Sequence, residues 1–454
     1  MPYTSTTARS LAIVMVLWVA RVSGQEQQGS GSVYSAYGLG DLMGNLQVQQ
    51  SLMGGVGVAV ADPYGVSPLN PAAHAFLLRP VFETGVKGRW VASEIGEESN
   101  TGGGMELTGI SFGAPFGQGR WGMALGLSPV SRVGYDIEDR MQVPGQETEV
   151  ELRYLGSGGL NRAFLGVGHM LLRRADSLGN GGRLAFGAEV DYVFGAVEET
   201  RKAIYPRGSG FYNANIFSSL VLRGPTGRLG VQYHGDLVRK RDRDDDGLRW
   251  IVGLSAELPT RMPARRTQVV NNYLLGNTGV EFPIDTISFT DGQKGRLLLP
   301  LQWNLAVSVQ DARWMATAEY RRRDWQRLEA DVADLALRTE LGTQVYHGLG
   351  FSYKPSGDGR GNFWSTTIYR AGLRYVEDYL VVRGEPIREF GMAFGLSMPV
   401  MSSTTRSRVS IGAELGERGT LEQGLIRERF AHLFVGLSIT PDLREQWFKK
   451  RRIE

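Results

Sequence analysis

The stretch RLLLPLQWNLAVSVQ, residues 296–310, decides the fold class. Apolar residues occupy every second position, and polar residues occupy most of the positions between them. A period of two is typical of a β-strand whose two faces meet different surroundings. The pattern places Leu297, Leu299, Leu301, Trp303, Leu305, Val307 and Val309 on one face and Arg296, Gln302, Asn304, Ser308 and Gln310 on the other.

The apolar face of this stretch is longer than a whole strand of an ordinary sheet, which has about five or six residues. A short turn leads into a second alternating stretch, residues 313–325, whose other face carries Arg313, Glu319 and Arg321. Strands of about ten residues with one apolar and one charged face suit a wall between lipid and a hydrated lumen. The sequence therefore predicts an all-β fold, a transmembrane antiparallel β-barrel. Two or three soluble β-sandwiches are the alternative.

The composition excludes several kinds of chemistry. The chain has 454 residues and no cysteine, so disulfides, thiolate metal sites and a cysteine nucleophile are excluded. Lysine and arginine number 50 against 47 aspartates and glutamates, a formal net charge of +3. This near balance gives no support to nucleic-acid binding.

The N-terminus has the layout of a secretory signal peptide. Arg9 precedes the apolar run of residues 11–20, and Val22, Ser23 and Gly24 are small residues before Gln25. We predict a signal peptide at residues 1–24, too short to span a membrane as a helix. No later stretch has 18 consecutive apolar residues. A chain of this kind enters a membrane only as a closed barrel, because an open sheet leaves backbone groups unpaired in lipid.

Residues 25–80 are the next predicted unit. They are rich in glycine, and Pro63, Pro68 and Pro71 prevent a regular ladder. Their valine, alanine and leucine content requires burial, which favours a hatch inside the lumen of a barrel formed by residues 81–440. A disordered periplasmic leader is the alternative.

The alternation from residue 82 to residue 439 predicts sixteen strands when residues 149–172 are taken as one kinked strand. The count separates 211–222 from 229–238 by a tight turn at Gly224-Pro225-Thr226-Gly227, and 248–258 from 264–273. An even number of strands predicts both termini on the periplasmic side. Tight turns at 224–227 and 354–361 are then periplasmic, and the basic tail, residues 441–454, lies there too. Longer polar connections are expected outside, at 136–148, 198–210, 276–295, 326–342 and 416–425.

Candidate chemistry is sparse. Asp242, Asp244 and Asp246 precede Gly247 in the D-x-D-x-D-G order of a calcium loop, but position 12 is Gly253 rather than glutamate. A solvated acidic turn is the simpler interpretation. The five histidines have no metal-ligand spacing, and no nucleophile elbow or phosphate loop occurs. We expect no catalytic residues, no metal and no cofactor, and therefore no enzyme.

A family resemblance appears in residues 53–77, MGGVGVAVADPYGVSPLNPAAHAFL. This segment resembles the N-terminal hatch of the FadL-type outer-membrane transporters of long-chain fatty acids, in which a glycine-rich run, an aspartate and Asn-Pro-Ala precede the first strand. Asp62, Asn70, Pro71 and Ala72 match. YSAYGLGDL at 34–42, GSGGLN at 156–161, YVFG at 192–195 and the final WFKKRRIE resemble one branch of that family. The chain departs from it in not ending on an aromatic residue.

The resemblance implies a barrel of fourteen strands, so we expect 14–16. It implies an outer-membrane channel of a Gram-negative bacterium that binds and passes hydrophobic small molecules such as long-chain fatty acids. Asp62, Pro68, Asn70 and Pro71 are then hatch residues. A kink in the third strand, residues 119–135, lets the ligand leave sideways, and Gly126 and Pro129 are its expected position, because proline cannot donate to a ladder.

The partners expected are a hydrophobic or lipid ligand and the lipids of the outer membrane. The alternative function is that of a FadL-like barrel that docks a protein partner in a secretion or surface-assembly machinery. The long outward loops and the basic tail suit that function equally well.

Overall fold

The computed structural model describes residues 31–441, apart from 45–46, 144–147, 175, 243–245, 277–278, 333–338, 358–360 and 401–405. These residues form a closed barrel of 14 antiparallel strands. The predicted all-β barrel is confirmed, at the lower end of the expected strand count. The predicted signal peptide and nearly all of the basic tail lie outside the described residues.

Nine strands run without interruption. Strands 1, 2, 4, 5 and 6 are Val81–Ile95, Glu98–Phe116, Glu149–Arg173, Arg183–Ile204 and Asn213–Val238. Strands 11 to 14 are Ile368–Val382, Glu385–Pro399, Arg408–Gly419 and Arg427–Ile439.

Five strands are interrupted, and each is built from two pieces that follow the same neighbour. Strand 3 is Trp121–Arg132 with Tyr135–Gln142, strand 7 is Leu248–Glu257 with Thr260–Leu275, and strand 8 is Glu281–Leu299 with Gln302–Gln310. Strand 9 is Trp314–Asp324 with Glu329–Asp331, and strand 10 is Glu340–Leu341 with Thr343–Tyr353. Short helical turns include Val33–Ala36, Val48–Ser51 and Pro71–Phe76.

Strands 1 and 14 close the barrel, pairing from Phe82 with Ile439 to Glu94 with Arg427. We call the end at which strand 1 begins the entry end, and the end with the strand 1–2 hairpin the far end. No helix among the described residues is long and apolar enough to cross a membrane.

The outer surface is apolar and the inner surface is polar, as the alternation predicts. On strand 5, Val190 is 66 % exposed, whereas the adjacent Glu189 is 3 % exposed and faces the lumen. Exposed leucine, valine and aromatic side chains continue this surface on the neighbouring strands, among them Leu229, Val231, Leu254, Trp303 and Leu305. Such a belt is the lipid-facing surface of a transmembrane barrel.

The sixteen-strand count is wrong at two places. Gly224-Pro225-Thr226-Gly227 is not a turn, since strand 6 passes through it and Tyr192 of strand 5 pairs with Pro225. The two pieces of strand 7 both pair with strand 6 and are one interrupted strand. A long neighbouring strand thus overrides local turn chemistry.

The single apolar face predicted for residues 296–310 is also wrong. Leu297 and Leu299 are buried and face the lumen, whereas Leu301 and Trp303 are exposed on the outer surface. The strand is interrupted at residues 300–301, and the alternation changes side there because Pro300 has no N–H to donate to the ladder. Arg296, predicted to face the lumen, is consequently exposed.

Several predicted outer loops are strands instead. Residues 198–204 belong to strand 5, and residues 281–295 belong to strand 8. The connections at the far end are therefore short, and loop length does not distinguish the two ends.

Candidate functional site

Residues 47–78 occupy the lumen at the entry end, and we call them the hatch. Their central feature is the short helix Pro71–Phe76, which packs against strands 4, 5 and 6. Asn70 begins this helix: its side-chain oxygen accepts from the N–H of Ala72 at 3.1 Å. Its amide nitrogen donates to the carbonyl of Val58 at 2.9 Å and to that of Val231 on strand 6 at 3.2 Å. Asn70 thus joins two parts of the hatch to the wall.

Glycines in the wall form the surface against which the hatch packs, and we call this surface the hatch seat. A Cβ atom on Gly122, Gly187, Gly230 or Gly253 would lie 1.7–2.2 Å from hatch atoms, so a larger residue there collides with the hatch. These four glycines lie on strands 3, 5, 6 and 7. Hatch backbone therefore lies directly against Gly122, Gly187 and Gly253, and the Asn70 side chain lies against Gly230, a close approach that the lack of a Cβ allows.

Wall carboxylates bind the N–H groups that the irregular hatch backbone cannot satisfy by itself. Glu319 on strand 9 accepts from the N–H groups of Gly57 at 2.7 Å and Val58 at 2.9 Å. Glu83 on strand 1 accepts from Val66 N–H at 2.8 Å. Glu319 was predicted only as part of the charged face towards a hydrated lumen, and the role of both acids as hatch acceptors was not foreseen.

The remaining predicted hatch residues also lie in this region. The carbonyl of Pro68 accepts from the buried Arg228, and Pro71 is the first residue of the short helix. Asp62 makes a local turn, accepting from Tyr64 N–H at 2.9 Å. His74 of the same helix is fully buried, and burial, with a further contribution from Arg228, lowers its pKa to about 4.

Residues 31–44 lie at the far end, and we call them the far segment. Arg418 binds Asp41 at 2.6 Å and Asp378 at 2.5 Å, and Glu428 accepts from Ser32 at 2.7 Å. The hydroxyl of Tyr379 accepts from Leu39 N–H at 3.1 Å and donates to the carbonyl of Gly40 at 2.7 Å. Charged groups and hydroxyls supply these side-chain bonds, and Gly31 also lies against the backbone of Gly134.

The far segment also occupies an opening in the wall. Strands 2 and 3 pair only from Phe116 with Trp121 to Ile110 with Leu127. Beyond this point strand 3 pairs with Asp41 and Leu42 of the far segment, which take the place of strand 2 opposite Arg132 and Ser131. A lateral gap between strands 2 and 3 is therefore filled by a two-residue strand from the lumen.

Both residues predicted for a third-strand kink lie beside this gap. The pairing of strand 3 with strand 4 shifts register between Pro129 and Ser131, and the carbonyl of Val130 in this bulge accepts from Met43 N–H at 2.8 Å. Gly126 lies three residues earlier, where a Cβ would be 2.3 Å from the carbonyl of Ile110. The strand itself is interrupted at residues 133–134.

A cavity of about 320 Å³ lies between the hatch and the far segment. Aliphatic groups of Leu42, Met43, Pro129, Val130, Leu160 and Val193 line it near the gap. Ion pairs line it elsewhere, among them Lys87–Glu106 at 2.9 Å, Arg228–Glu257 at 3.1 Å and Arg323–Glu257 at 2.8 Å. The cavity is therefore amphipathic.

The described residues of the acidic turn, 242–247, do not form a calcium-binding arrangement. Asp244 lies outside the described residues, and Asp246 is 3.7 Å from Arg313. Gly253, at the twelfth position, is inside strand 7, where a Cβ would lie 2.2 Å from the carbonyl of Val58. Among the described residues no group of three or more acidic, histidine or cysteine side chains is arranged to hold a metal.

The fold and the plugged lumen define an outer-membrane β-barrel closed from within. The toluene transporter TbuX of Ralstonia pickettii has the same fold, with a TM-score of 0.55 and 14 % identity over 87 % of this chain and 98 % of that one. For the toluene transporter TodX of P. putida the TM-score is 0.54 and the identity 17 %, over 88 % of this chain and 99 % of that one. For the CymD monoaromatic hydrocarbon channel the TM-score is 0.52 and the identity 12 %, over 90 % of this chain and 100 % of that one.

The sequence itself belongs to the BamG family, whose sequence model matches residues 8–454. No curated protein matches the chain in a sequence comparison.

Proposed function

We propose that this barrel binds amphiphilic small molecules, apolar in body with an anionic head, and passes them across the outer membrane. The observation that carries the proposal is the gap between strands 2 and 3, filled by Asp41 and Leu42 rather than by wall. The cavity behind it is aliphatic near the gap and carries arginines further in, which suits a long-chain fatty acid better than a neutral hydrocarbon. The solved relatives with this fold support a hydrophobic cargo.

The route follows from the same geometry. We place the entry end in the periplasm and the far end outside, with the hatch closing the lumen below the cavity. The ligand reaches the cavity from the far end and leaves through the gap when Asp41 and Leu42 release strand 3. The bulge after Pro129 keeps the strand 3 edge from pairing with strand 2.

A disulfide lock tests the gap, and the absence of native cysteine makes it clean. Leu42→Cys with Ser131→Cys joins two residues that are opposite each other in an antiparallel pair. Oxidation is expected to abolish uptake of radiolabelled oleate by cells, and reduction to restore it. Ser308→Cys with Thr317→Cys, partners on strands 8 and 9, is the matched control that should not respond. Undiminished uptake with the first lock fully oxidised refutes the lateral route.

A second function is supported by a different feature, the far part of strand 8. Among the described residues, strand 9 pairs with this part only at residues 296–298, and residues 281–289 are exposed. Ile287 and Phe289 are 60 % and 63 % exposed. An unpaired edge with apolar side chains accepts an added strand from another protein.

This docking function is tested at the edge itself. Ile287→Lys with Phe289→Lys should release a stoichiometric protein partner in mild detergent, measured by native mass spectrometry, and leave oleate uptake unchanged. A protein that is monomeric with and without the substitutions does not dock through this edge.

A further inference from the structure

Five cations lie together on the outer surface of strands 6, 7 and 8, just beyond the apolar belt towards the far end. They are Arg223, Arg261, Arg265, Lys294 and Arg296, and all five are exposed. Arg265 and Lys294 are opposite each other in the strand 7–8 ladder, and Arg296 is opposite Pro263. We call these five residues the basic cluster.

The level of the cluster is that of lipid headgroups. Ten residues separate Arg223 from Tyr233 on strand 6, and Leu229 and Val231 between them are exposed on the outer surface. At a rise of about 3.4 Å per residue and a tilt of about 40°, ten residues span about 26 Å, close to the height of an apolar belt. Arg223 therefore stands at one boundary of the belt.

None of the five cations of the basic cluster forms an ion pair with another residue that the structure describes. Like charges directly opposite in a ladder destabilise the pair, so an anion bound between Arg265 and Lys294 would relieve their repulsion. Asp331 is opposite Arg296 on strand 9 but does not form an ion pair with it, and Asp291 is held by Thr267 at 3.3 Å.

The other side of the barrel shows the contrast. Arg429 on strand 14 is at the same boundary and pairs with Glu94 at 3.3 Å and Glu417 at 3.4 Å. Arg388 on strand 12 is opposite Glu377. Arg429 is therefore balanced by two ion pairs with acids of the protein, whereas none of the five cations of the basic cluster forms an ion pair among the described residues.

We propose that the basic cluster binds the phosphate groups of a lipid headgroup, in the leaflet that the far end reaches. With the far end outside, that lipid is a phosphorylated glycolipid of the lipid A type. Its acyl chains lie along the apolar belt formed by Leu229, Leu254 and Leu305, and its phosphates lie between the guanidinium groups, which bind phosphate in bidentate fashion. The site is separate from the lumen and from the gap.

The test uses the full-length barrel in detergent and lipid A carrying two phosphates. Arg265→Gln with Arg296→Gln should weaken binding about 30-fold, since each cation near a membrane surface contributes about 1 kcal/mol to the free energy of binding an anionic lipid. The control, Arg388→Gln with Arg429→Gln, removes the same charge and should change binding less than about 2-fold. Asp331→Asn should strengthen binding, because it removes the acid nearest the cluster in the ladder.

Folding of each variant is checked by its gel shift before and after boiling. Equal weakening by both double variants shows attraction to net charge alone and overturns the site. Dephosphorylated lipid A bound as tightly as the parent, or full displacement by millimolar inorganic phosphate, also overturns it, since the site then recognises the acyl chains or a free anion.

Discussion

The hatch and the far segment both fill the lumen, but different forces hold them. The hatch lies against glycine backbone on four strands, with little space for any added atom. The far segment has a close glycine contact, Gly31 against Gly134, and buries Tyr34 and Leu39, but its polar anchors are Arg418, Glu428 and the hydroxyl of Tyr379. Close packing is sensitive to added volume and insensitive to salt, whereas ion pairs respond to the loss of a charge. The two ends of the plug can therefore be opened separately, and the far segment is the part suited to move.

The largest expected effect is loss of the hatch seat. In Gly230→Val the new Cβ lies 2.0 Å from the Asn70 side-chain oxygen, so the hatch must leave its position. We expect an inserted barrel with a hatch open to protease and a raised single-channel conductance in planar bilayers. Gly227→Val on the same strand, with its nearest contact at 3.3 Å, is the control. Equal conductance of the two variants would mean that the hatch does not seal the lumen.

Removing one charge should free the far segment and leave the hatch in place. Arg418→Gln leaves the buried Asp378 without its cation and leaves Asp41 with only Arg89, at 3.4 Å, and breaking a buried pair of this kind costs about 3–5 kcal/mol. Hydrogen exchange should accelerate at residues 32–43 and remain slow at residues 48–77. Arg418→Lys should recover part of the protection. Acceleration in both segments would show that they move as one body.

Acid should act on the hatch through His74. Its pKa is about 4 when docked and near 6.5 when the hatch is released. The released form therefore binds a proton first, and docking is fully favoured above pH 6.5 and weakens as the pH falls to about 4, by up to about 3 kcal/mol. Glu189 and Arg228 face the ring, and Arg228 opposes its protonation. Conductance should rise in this pH range in the parent and not in His74→Leu, whereas the same rise in both would assign it to other groups.

The smallest effect is expected for Tyr379→Phe. It removes the hydroxyl between Leu39 N–H and the carbonyl of Gly40, a loss of about 1 kcal/mol. Exchange at Leu39 should accelerate several-fold while Val58, in the hatch, stays protected. A change as large as that of Arg418→Gln would mean that hydroxyls rather than charges hold the far segment.

Much of the wall was predictable because its forces are local. The exposure of Val190 and the burial of Glu189 follow directly from the alternation. The Gly-Pro-Thr-Gly sequence at 224–227 was mistaken for a turn because nothing local shows that strand 5 continues beside it to Ile204. The change of side at Pro300 was missed for the same reason, although a proline inside a strand is a usable signal.

The site was less predictable, because its contacts join distant parts of the chain. Asn70 and Pro71 were found by family resemblance, and their positions beside strands 5 and 6 required the fold. The pairing of Leu42 with Ser131 has no signature in either stretch. The wall glycines carried a signal that could have been used, since glycine at lumen-facing positions of consecutive strands indicates close approach by another backbone.

The seam between strands 1 and 14 has a consequence for how the molecule is assembled. The hatch is continuous with strand 1 at Val81, and strand 14 is the last strand of the barrel, so the wall cannot close until the whole barrel has been made. The far segment lies at the opposite end of the lumen, where its Ser32 donates to Glu428 of strand 14. Insertion of a folded hatch into a closed barrel would force the hatch backbone past the close contacts with the wall glycines. Closure after the N-terminal chain has been laid inside the open sheet avoids that obstacle. Pairing of strand 1 with strand 14 is then the last step, and it encloses a hatch and far segment that are already in place.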